Sequence, residues 1–367
     1  MDASKRRLFL VHGPTPIDRR PALDEIVGAK VWIKRDDATS GAEAGNKVRK
    51  LEFLLGDARA RGAEIVVTCG GLQSNHARAT ALVCARLGLR SVLYLRVPDP
   101  KRAEAEFAVT GNVLLDRLAG AEMCFITPAE YRERSAIMEH ARREFEAEGV
   151  RAYVIPEGGS NGLGSLGYVE AMREVRSQLD LGLCEGLASS APGGEPARFD
   201  VIAHACGSGG TAAGVSLGAA RFGVASTTWA FAVCDDREYF EKTIGRIASE
   251  ARGYDPSLPP LAMIDPSAGG ASTVAPDGSA RLVVDDQGKG PAYAVMDEDQ
   301  KRFVVRVARK TGIVLDPVYT GKALWGLARA VERGDVAKDS NVLFIHTGGL
   351  PGLLAQGEEL REALGER

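Results

Sequence analysis

One unit recurs along this chain: a short β-branched run, a glycine-rich turn, then a helix of small residues. "FDVIAHACGSGGTAAGVSLGAARFG", Phe199 to Gly223, shows it whole. An unbroken apolar run of this length reads as a strand buried on both faces. Such a strand reaches its parallel neighbour only by a right-handed crossover through a helix. "AEIVVTC", "GGLQSN", "HARATALVCARLG" and "SVLYLRV", together Ala63 to Val97, give strand, loop, helix and strand in that order. "RAYVIPEGGSNGLGSLGYVEAMREV" repeats strand, glycine loop and helix, and "TTWAFAVC" and "NVLFIHTGG" read as further strands. The expected class is α/β with open parallel sheets, whose ligands lie at the carboxyl ends of strands, where the glycine loops are. With 367 residues the chain exceeds the size at which one core keeps growing, so two domains are expected.

Other segments are less regular. "NKVRKLEFLLGDARARG" places Val48, Leu51, Leu54, Leu55 and Ala58 at helical spacing, with Gly62 closing the helix. Leu183 to Arg198 is small and Gly/Pro-rich and reads as a surface loop. Residues 251–290, with five prolines, read as irregular, and no element is assigned there. The formal charge of -3 gives no electrostatic case for nucleic acid or an anionic membrane as partner. No apolar run approaches the roughly 20 residues of a membrane span. The N-terminal stretch, broken by His12, Gly13 and Pro14, reads as mature protein and not as a signal peptide. The six cysteines form no C-x-x-C pair, which fits free thiols in a cytosolic protein. The five histidines form neither H-x-x-x-H nor H-E-x-x-H, so no protein-built metal site is expected.

"GSGGT", Gly207 to Thr211, follows a strand and opens a helix. Backbone N–H groups at a helix start cradle phosphate, glycines let it approach, and Ser208 and Thr211 add hydroxyls. The plainer reading is a tight turn that binds nothing; three glycines and two hydroxyls in five residues weigh against it. Two cofactors could use the loop. "GSGGTA" fits the G-x-G-x-x-A dinucleotide fingerprint, with Asp235 at the end of the next strand as ribose acid, which would make a nicotinamide oxidoreductase. Pyridoxal phosphate (PLP) is the other, and it needs a lysine. "AGNKVRKLEF" crowds Lys47, Arg49 and Lys50 into a helix start, where acids are the usual preference. By itself that cluster reads as a solvated face.

"IKRDD", "GNKVRKLEFLL", "GGLQSNHARATA", "EGGSNGLGSLGYVEA", "GSGGTAAG", "LDPVYTGKA" and "FIHTGG" occur in that order. Together they resemble the D-cysteine desulfhydrase and 1-aminocyclopropane-1-carboxylate (ACC) deaminase family of PLP enzymes, which have the tryptophan synthase β-type fold (fold type II). The resemblance runs from about Leu8 to the C-terminus and is weakest in the Pro-rich region. It implies a larger PLP-binding domain, 1–46 with 157–367, and a smaller domain, 47–156. Lys47 matches the Schiff-base lysine, with Asn46 beside it to orient it and Lys50 as a charge near the phosphate; Arg49 is expected to point elsewhere. Gly207, Ser208, Gly209, Gly210 and Thr211 would hold the phosphate.

By the same resemblance Ser74 contacts substrate and shuttles the α-proton, and Asn75 bonds the cofactor's phenolic oxygen. Gln73 lines the pocket, and Thr347 faces the pyridine ring. Without the resemblance, Ser74 and Asn75 are plain helix caps, and His76 reads as a packed histidine. Tyr319 and Tyr293 match the two tyrosines over the substrate, although Ala292 and Ala294 stand where glycines are expected around Tyr293. Ala44 also stands where the family often has a glycine. Thr320 takes the place of a glutamate that the ACC deaminase branch keeps near the pyridine nitrogen. Ring opening has no good leaving group and should need that acid, whereas loss of a stable anion such as HS⁻ needs less help. The resemblance therefore implies a cytoplasmic, homodimeric PLP lyase of amino-acid metabolism, most simply converting D-cysteine to pyruvate, ammonia and sulfide. Other β-substituted alanines (cysteate, chloroalanine) and ACC stay open, as do the nicotinamide enzyme and a PLP-fold protein that binds without turnover.

Overall fold

The computed structural model describes residues 6–106, 109–187, 196–266 and 278–365. Its strands are β1 Ile17–Arg19, β2 Lys30–Lys34, β3 Ile65–Gly71, β4 Arg90–Arg96, β5 Glu122–Ile126, β6 Ala152–Val154, β7 Phe199–Cys206, β8 Ala225–Ala232, β9 Leu261–Ile264, β10 Ala280–Asp285 and β11 Asn341–Ile345. The helices are α1 Pro21–Val27, α2 Asn46–Ala60, α3 Asn75–Arg86, α4 Pro100–Glu106, α5 Gly111–Leu118, α6 Pro128–Arg132 and α7 Arg134–Ala147. They continue with α8 Gly162–Asp180, α9 Gly210–Phe222, α10 Arg237–Tyr254, α11 Glu298–Thr311, α12 Thr320–Arg333, α13 Leu350–Ala355 and α14 Arg361–Leu364.

Two sheets form, in the orders β1-β2-β11-β7-β8-β10-β9 and β5-β4-β3-β6. The smaller is parallel throughout. The larger is parallel except at its edge, where β1 runs antiparallel to β2. The unit read from Ala63 to Val97 is present: β3 and β4 pair in parallel register, Ile65 opposite Arg90 through Gly71 opposite Arg96. The first six residues of β3 are buried. Val66 packs with α2 and α3, and Ile65 and Val67 pack with Met138 and Ala141 of α7 on the other face. Helix layers on both faces explain why this strand reads as an unbroken apolar run.

Two segments differ from expectation. The Pro-rich stretch holds β9 and β10, and β10 is buried along most of its length between β8 and β9. Short strands there carry no period long enough to separate them from loop; residues 267–277 of this stretch lie outside the described residues. So do residues 188–195 of the expected surface loop. Gly62 lies one residue beyond the cap of α2, Arg61, and takes a left-handed φ of 71°.

α2 is the other departure. Eleven of its fifteen residues are buried, Arg49, Lys50, Glu52 and Asp57 among them. It packs closely on α8: a Cβ on Gly167 would lie 2.1 Å from the Arg49 carbonyl oxygen. The buried charges other than Lys50 are paired. Arg49 donates to both oxygens of Asp36 (2.7 and 2.8 Å) and to Glu174. Asp36 also accepts from Thr15 and Tyr168, and Lys34 donates to Glu174. Glu52 accepts from the amides of Leu10 and Val11. Removing one partner from such a cluster costs about 3–5 kcal/mol, because the other charge stays buried and unpaired. This lattice ties the N-terminal segment, β2 and α8 to the helix whose first turn carries Lys47. Arg49 thus points away from the glycine loop, as expected from the sequence.

Candidate active site

β7 ends at Cys206 and α9 begins at Gly210, and the turn between them requires Gly209 (φ 82°, ψ -28°). A side chain there would meet strain from the backbone and crowding from α10, since a Cβ would lie 3.2–3.3 Å from Ile244, Ile247 and Thr243. The loop and the first turn of α9 line a cleft, with Gly207, Ser208, Gly209, Thr211 and Ala212 on its wall. Behind the loop lies a polar support. Ser160 Oγ is 2.8 Å from Ser208 Oγ and accepts weakly from the Gly210 amide. Lys50 Nζ donates to Ser160 Oγ and to the Gly158 carbonyl, both at 3.1 Å. A Cβ on Gly210 would come within 2.9 Å of that amine. Burial, then the charge of Lys47, hold Lys50 well below the usual lysine range. An anion in the cradle would favour its charged form.

The start of α2 faces the start of α9. Asn46 Nδ2 donates to Thr211 Oγ1 at 3.2 Å, and the Asn46 amide donates to the Thr347 carbonyl. Lys47 is half-buried, and no hydrogen bond to Nζ exists among the described residues. Its amine stands 5.9 Å from the centre of the Tyr319 ring. Burial lowers its pKa to about 8, while Glu157 and Asp316 pull the other way. At pH 7 about a tenth of the amine is then neutral and nucleophilic, far more than for a free lysine.

Nine of the sequence-predicted residues line the cleft: Asn46, Lys47, Asn75, Gly207, Ser208, Gly209, Thr211, Tyr319 and Thr347. Six stand behind it or beside it. Lys50 and Gly210 form the support just described. Ser74 caps α3, its hydroxyl accepting from the His76 and Ala77 amides at 3.2 Å. Gln73 does not line the cleft: its amide group donates to the Thr110 carbonyl and accepts from the Asn112 amide. It is thereby spent on the start of α5, which has no side-chain cap of its own. Thr320 is buried and turned away, donating to Asp316 Oδ1 at 2.6 Å and accepting from the Asp316 amide. Tyr293 reaches the cleft through its neighbour, hydroxyl to hydroxyl with Tyr319 at 2.8 Å. His76 is a packed histidine, 2.9 Å from Thr68 Oγ1 and held neutral by burial.

Sequence reasoning missed several supporting residues. Asp316 accepts from the amides of Val318, Tyr319 and Thr320 and from the Thr320 hydroxyl, which fixes the start of α12 and the Tyr319 ring. Asp316 stands four residues before the first residue of α12 and outside its N-cap, Tyr319, so the usual cap signal does not announce it. Lys322 donates to the Ala292 carbonyl at 2.6 Å and so holds the Tyr293 segment. In that segment Ala294 takes a left-handed φ of 60°, the conformation for which the expected glycine would serve. Asn112 donates to Asn75 Oδ1 and orients it. Cys206 lies on the cleft wall with its thiol pushed up to about 12 by burial, so it is no nucleophile.

The donor set suits a phosphorylated carbonyl cofactor: an anion cradle at a helix start, an unbonded amine of low pKa, and hydroxyl and amide groups around them. The comparisons agree. The sequence model of the family described as "Pyridoxal-phosphate dependent enzyme" matches residues 8–348. The chain is 38% identical over 361 residues to the mitochondrial bifunctional D-cysteine desulfhydrase/1-aminocyclopropane-1-carboxylate deaminase of Arabidopsis thaliana, covering 97% of this chain and 81% of that one. It is 35% identical to the D-cysteine desulfhydrase of Klebsiella pneumoniae over 95% of each. Among solved structures, an ACC deaminase homologue superposes with a TM-score of 0.80 at 32% identity, covering 99% of both chains.

Proposed function

The chain belongs to the family of pyridoxal-phosphate dependent enzymes, and from that premise we propose that it is a β-eliminating lyase acting on D-cysteine. The nicotinamide reading of "GSGGTA" gives way to the family. The observation that carries the proposal is the unbonded Lys47 amine on the wall of the cleft lined by the Gly207–Thr211 loop. When bound, the cofactor withdraws electrons from the α-carbon of an amino acid. The chain supplies the rest. Lys47 carries the cofactor, and its freed amine takes the α-proton, with Ser74 as the second proton carrier. Gly207 to Thr211 hold the phosphate, with Lys50 beneath. The start of α3, with Asn75 fixed by Asn112, receives the substrate carboxylate. Tyr319 and Tyr293, joined by their hydroxyls, stand where a proton can pass to the departing group.

The named relatives leave two reactions, desulfhydration and ring opening. Thr320 favours the first. The acid bonded to it, Asp316, is fully engaged by four donors at the start of α12. Among the described residues the carboxylate bonded to Thr320 is therefore not free for a pyridine nitrogen. D-cysteine is expected to give pyruvate, ammonia and sulfide in equal amounts, ACC little α-ketobutyrate, and L-cysteine less product than its enantiomer. A tenfold preference needs only about 1.4 kcal/mol in the transition state. Assays of the three compounds at matched concentration test this, and efficient turnover of ACC overturns it. Lys47→Ala is expected to lose turnover and the cofactor's absorbance band together.

The two sheets are taken as the cores of two domains, 1–46 with 157–367 and 47–156. A cytoplasmic location is supported by six free cysteines among the described residues. A homodimer is supported by the apolar surface that α5 and α13 share: Leu114, Leu118, Leu350 and Leu354 are all exposed. Sedimentation decides between monomer and dimer.

A further inference from the structure

Arg96 ends β4, opposite Gly71 of β3, on the side where the strands deliver their loops to the cleft. It is half-buried, yet among the described residues its guanidinium has neither a hydrogen bond nor a carboxylate within 4 Å. Arg7 and Arg49 are each held by two acids, and the buried Arg78 by the carbonyls of Ala42 and Ala44. Arg96 is instead placed between two rings, its guanidinium carbon 5.0 Å from the Tyr131 ring centre and 5.4 Å from that of Tyr293. The nearby acid is already engaged: Glu157 accepts from the Tyr131 hydroxyl at 2.7 Å and from Arg134 Nε at 3.0 Å. Glu157 thus fixes the ring under Arg96 without neutralising Arg96.

Ring contacts occupy the faces of a guanidinium and leave its edge donors open, and those edges pair best with a planar or tetrahedral anion. The position points to which anion. Tyr293 bonds Tyr319, and the Tyr319 ring lies beside the Lys47 amine. The chain of contacts from the Lys47 amine therefore runs through Tyr319 and Tyr293 to Arg96, on the far side of the tyrosine pair. We propose that Arg96 is a specificity residue that selects amino acids bearing an anionic group on the β-carbon, such as a thiolate or a sulfonate. This rests on the lyase reading above. With a sulfonate the balance is the same as with a thiol: the α-proton is removed, the Cβ–S bond breaks, and both electrons leave on sulfur, as sulfite in place of HS⁻. No oxidant is needed, and Arg96 forms and breaks no covalent bond.

The alternative role is a clasp between β4 and the Tyr293 segment that reads no charge. Holoenzyme, Arg96→Gln and Arg96→Lys separate the two. D-aspartate carries a β-carboxylate that cannot leave, and D-alanine lacks it; binding of each is followed by the absorbance of the bound cofactor. Turnover of D-cysteate and of β-chloro-D-alanine is measured beside it. Arg96→Gln is expected to weaken D-aspartate about tenfold or more, the scale of one lost charge-assisted pair. D-alanine should stay within twofold. The kcat/KM for D-cysteate should fall by a similar factor, mainly through KM, with β-chloro-D-alanine little changed and partial rescue by Lys. Equal losses on all four compounds, or no loss on any, overturn the proposal. If wild-type enzyme fails to turn over β-chloro-D-alanine, the lyase reading is what fails, and the D-aspartate to D-alanine ratio still decides the role of Arg96.

Discussion

Replacing Lys47 with methionine in the apoenzyme is expected to stabilise the fold while abolishing activity. Burial lowers the pKa of this lysine from 10.5 to about 8. The folded chain therefore resists the charge that the unfolded chain carries freely. Below pH 8 the amine is charged in both states, and the whole penalty is borne. The drop corresponds to at most about 3 kcal/mol. Lys47 is only half-buried, so solvent screening reduces the expected figure to about 1–2 kcal/mol. The folded state binds fewer protons than the unfolded state between pH 8 and 10.5, so wild-type stability rises across that window and the advantage of Lys47→Met fades through it. Methionine keeps a similar length without the charge, so packing loss should be small. Urea unfolding of both apoproteins at pH 6.5, 8 and 10 gives the comparison. A variant no more stable than wild type at pH 6.5, or a difference that does not shrink toward pH 10, refutes the claim that the site holds Lys47 against its preferred charge. The same pressure explains its reactivity, since a neutral amine is the form that attacks a carbonyl.

Gly209→Ala adds a left-handed residue with a side chain, about 1–2 kcal/mol, and crowds Ile244, Ile247 and Thr243. A loss of about 2–4 kcal/mol by urea unfolding and faster loss of cofactor on dialysis are expected; a variant of unchanged stability would mean that the loop relaxes freely. Ala294→Gly removes the left-handed strain at φ 60° and is expected to stabilise by up to about 1 kcal/mol, the gain trimmed by the added freedom of glycine in the unfolded chain. Calorimetry of the two proteins checks it, and a lower melting temperature for the variant contradicts it.

Periodicity and glycine placement in the sequence were enough for the α/β class, the β3–α3–β4 crossover and the loop after β7, because strand and helix periods are written within about ten neighbouring residues. The ordered motifs were enough for the family, and for Lys47, Asn75 and Tyr319 as cleft residues. The rest depended on which distant segment arrives where. Arg49 looks like a surface charge until Asp36 and Glu174 meet it from β2's end and from α8. Gln73 looks like a pocket residue until the start of α5 takes both ends of its amide. Gly209 looks like a phosphate contact through its missing side chain, yet that side chain would point into α10. Arg96, Tyr131 and Tyr293 come from β4, α6 and the segment before α11, and nothing in their spacing announces that they meet. A residue's period is a property of its own segment; its burial, its partners and the direction of its side chain belong to the packing of segments far apart in the chain, and only the tertiary structure decides them.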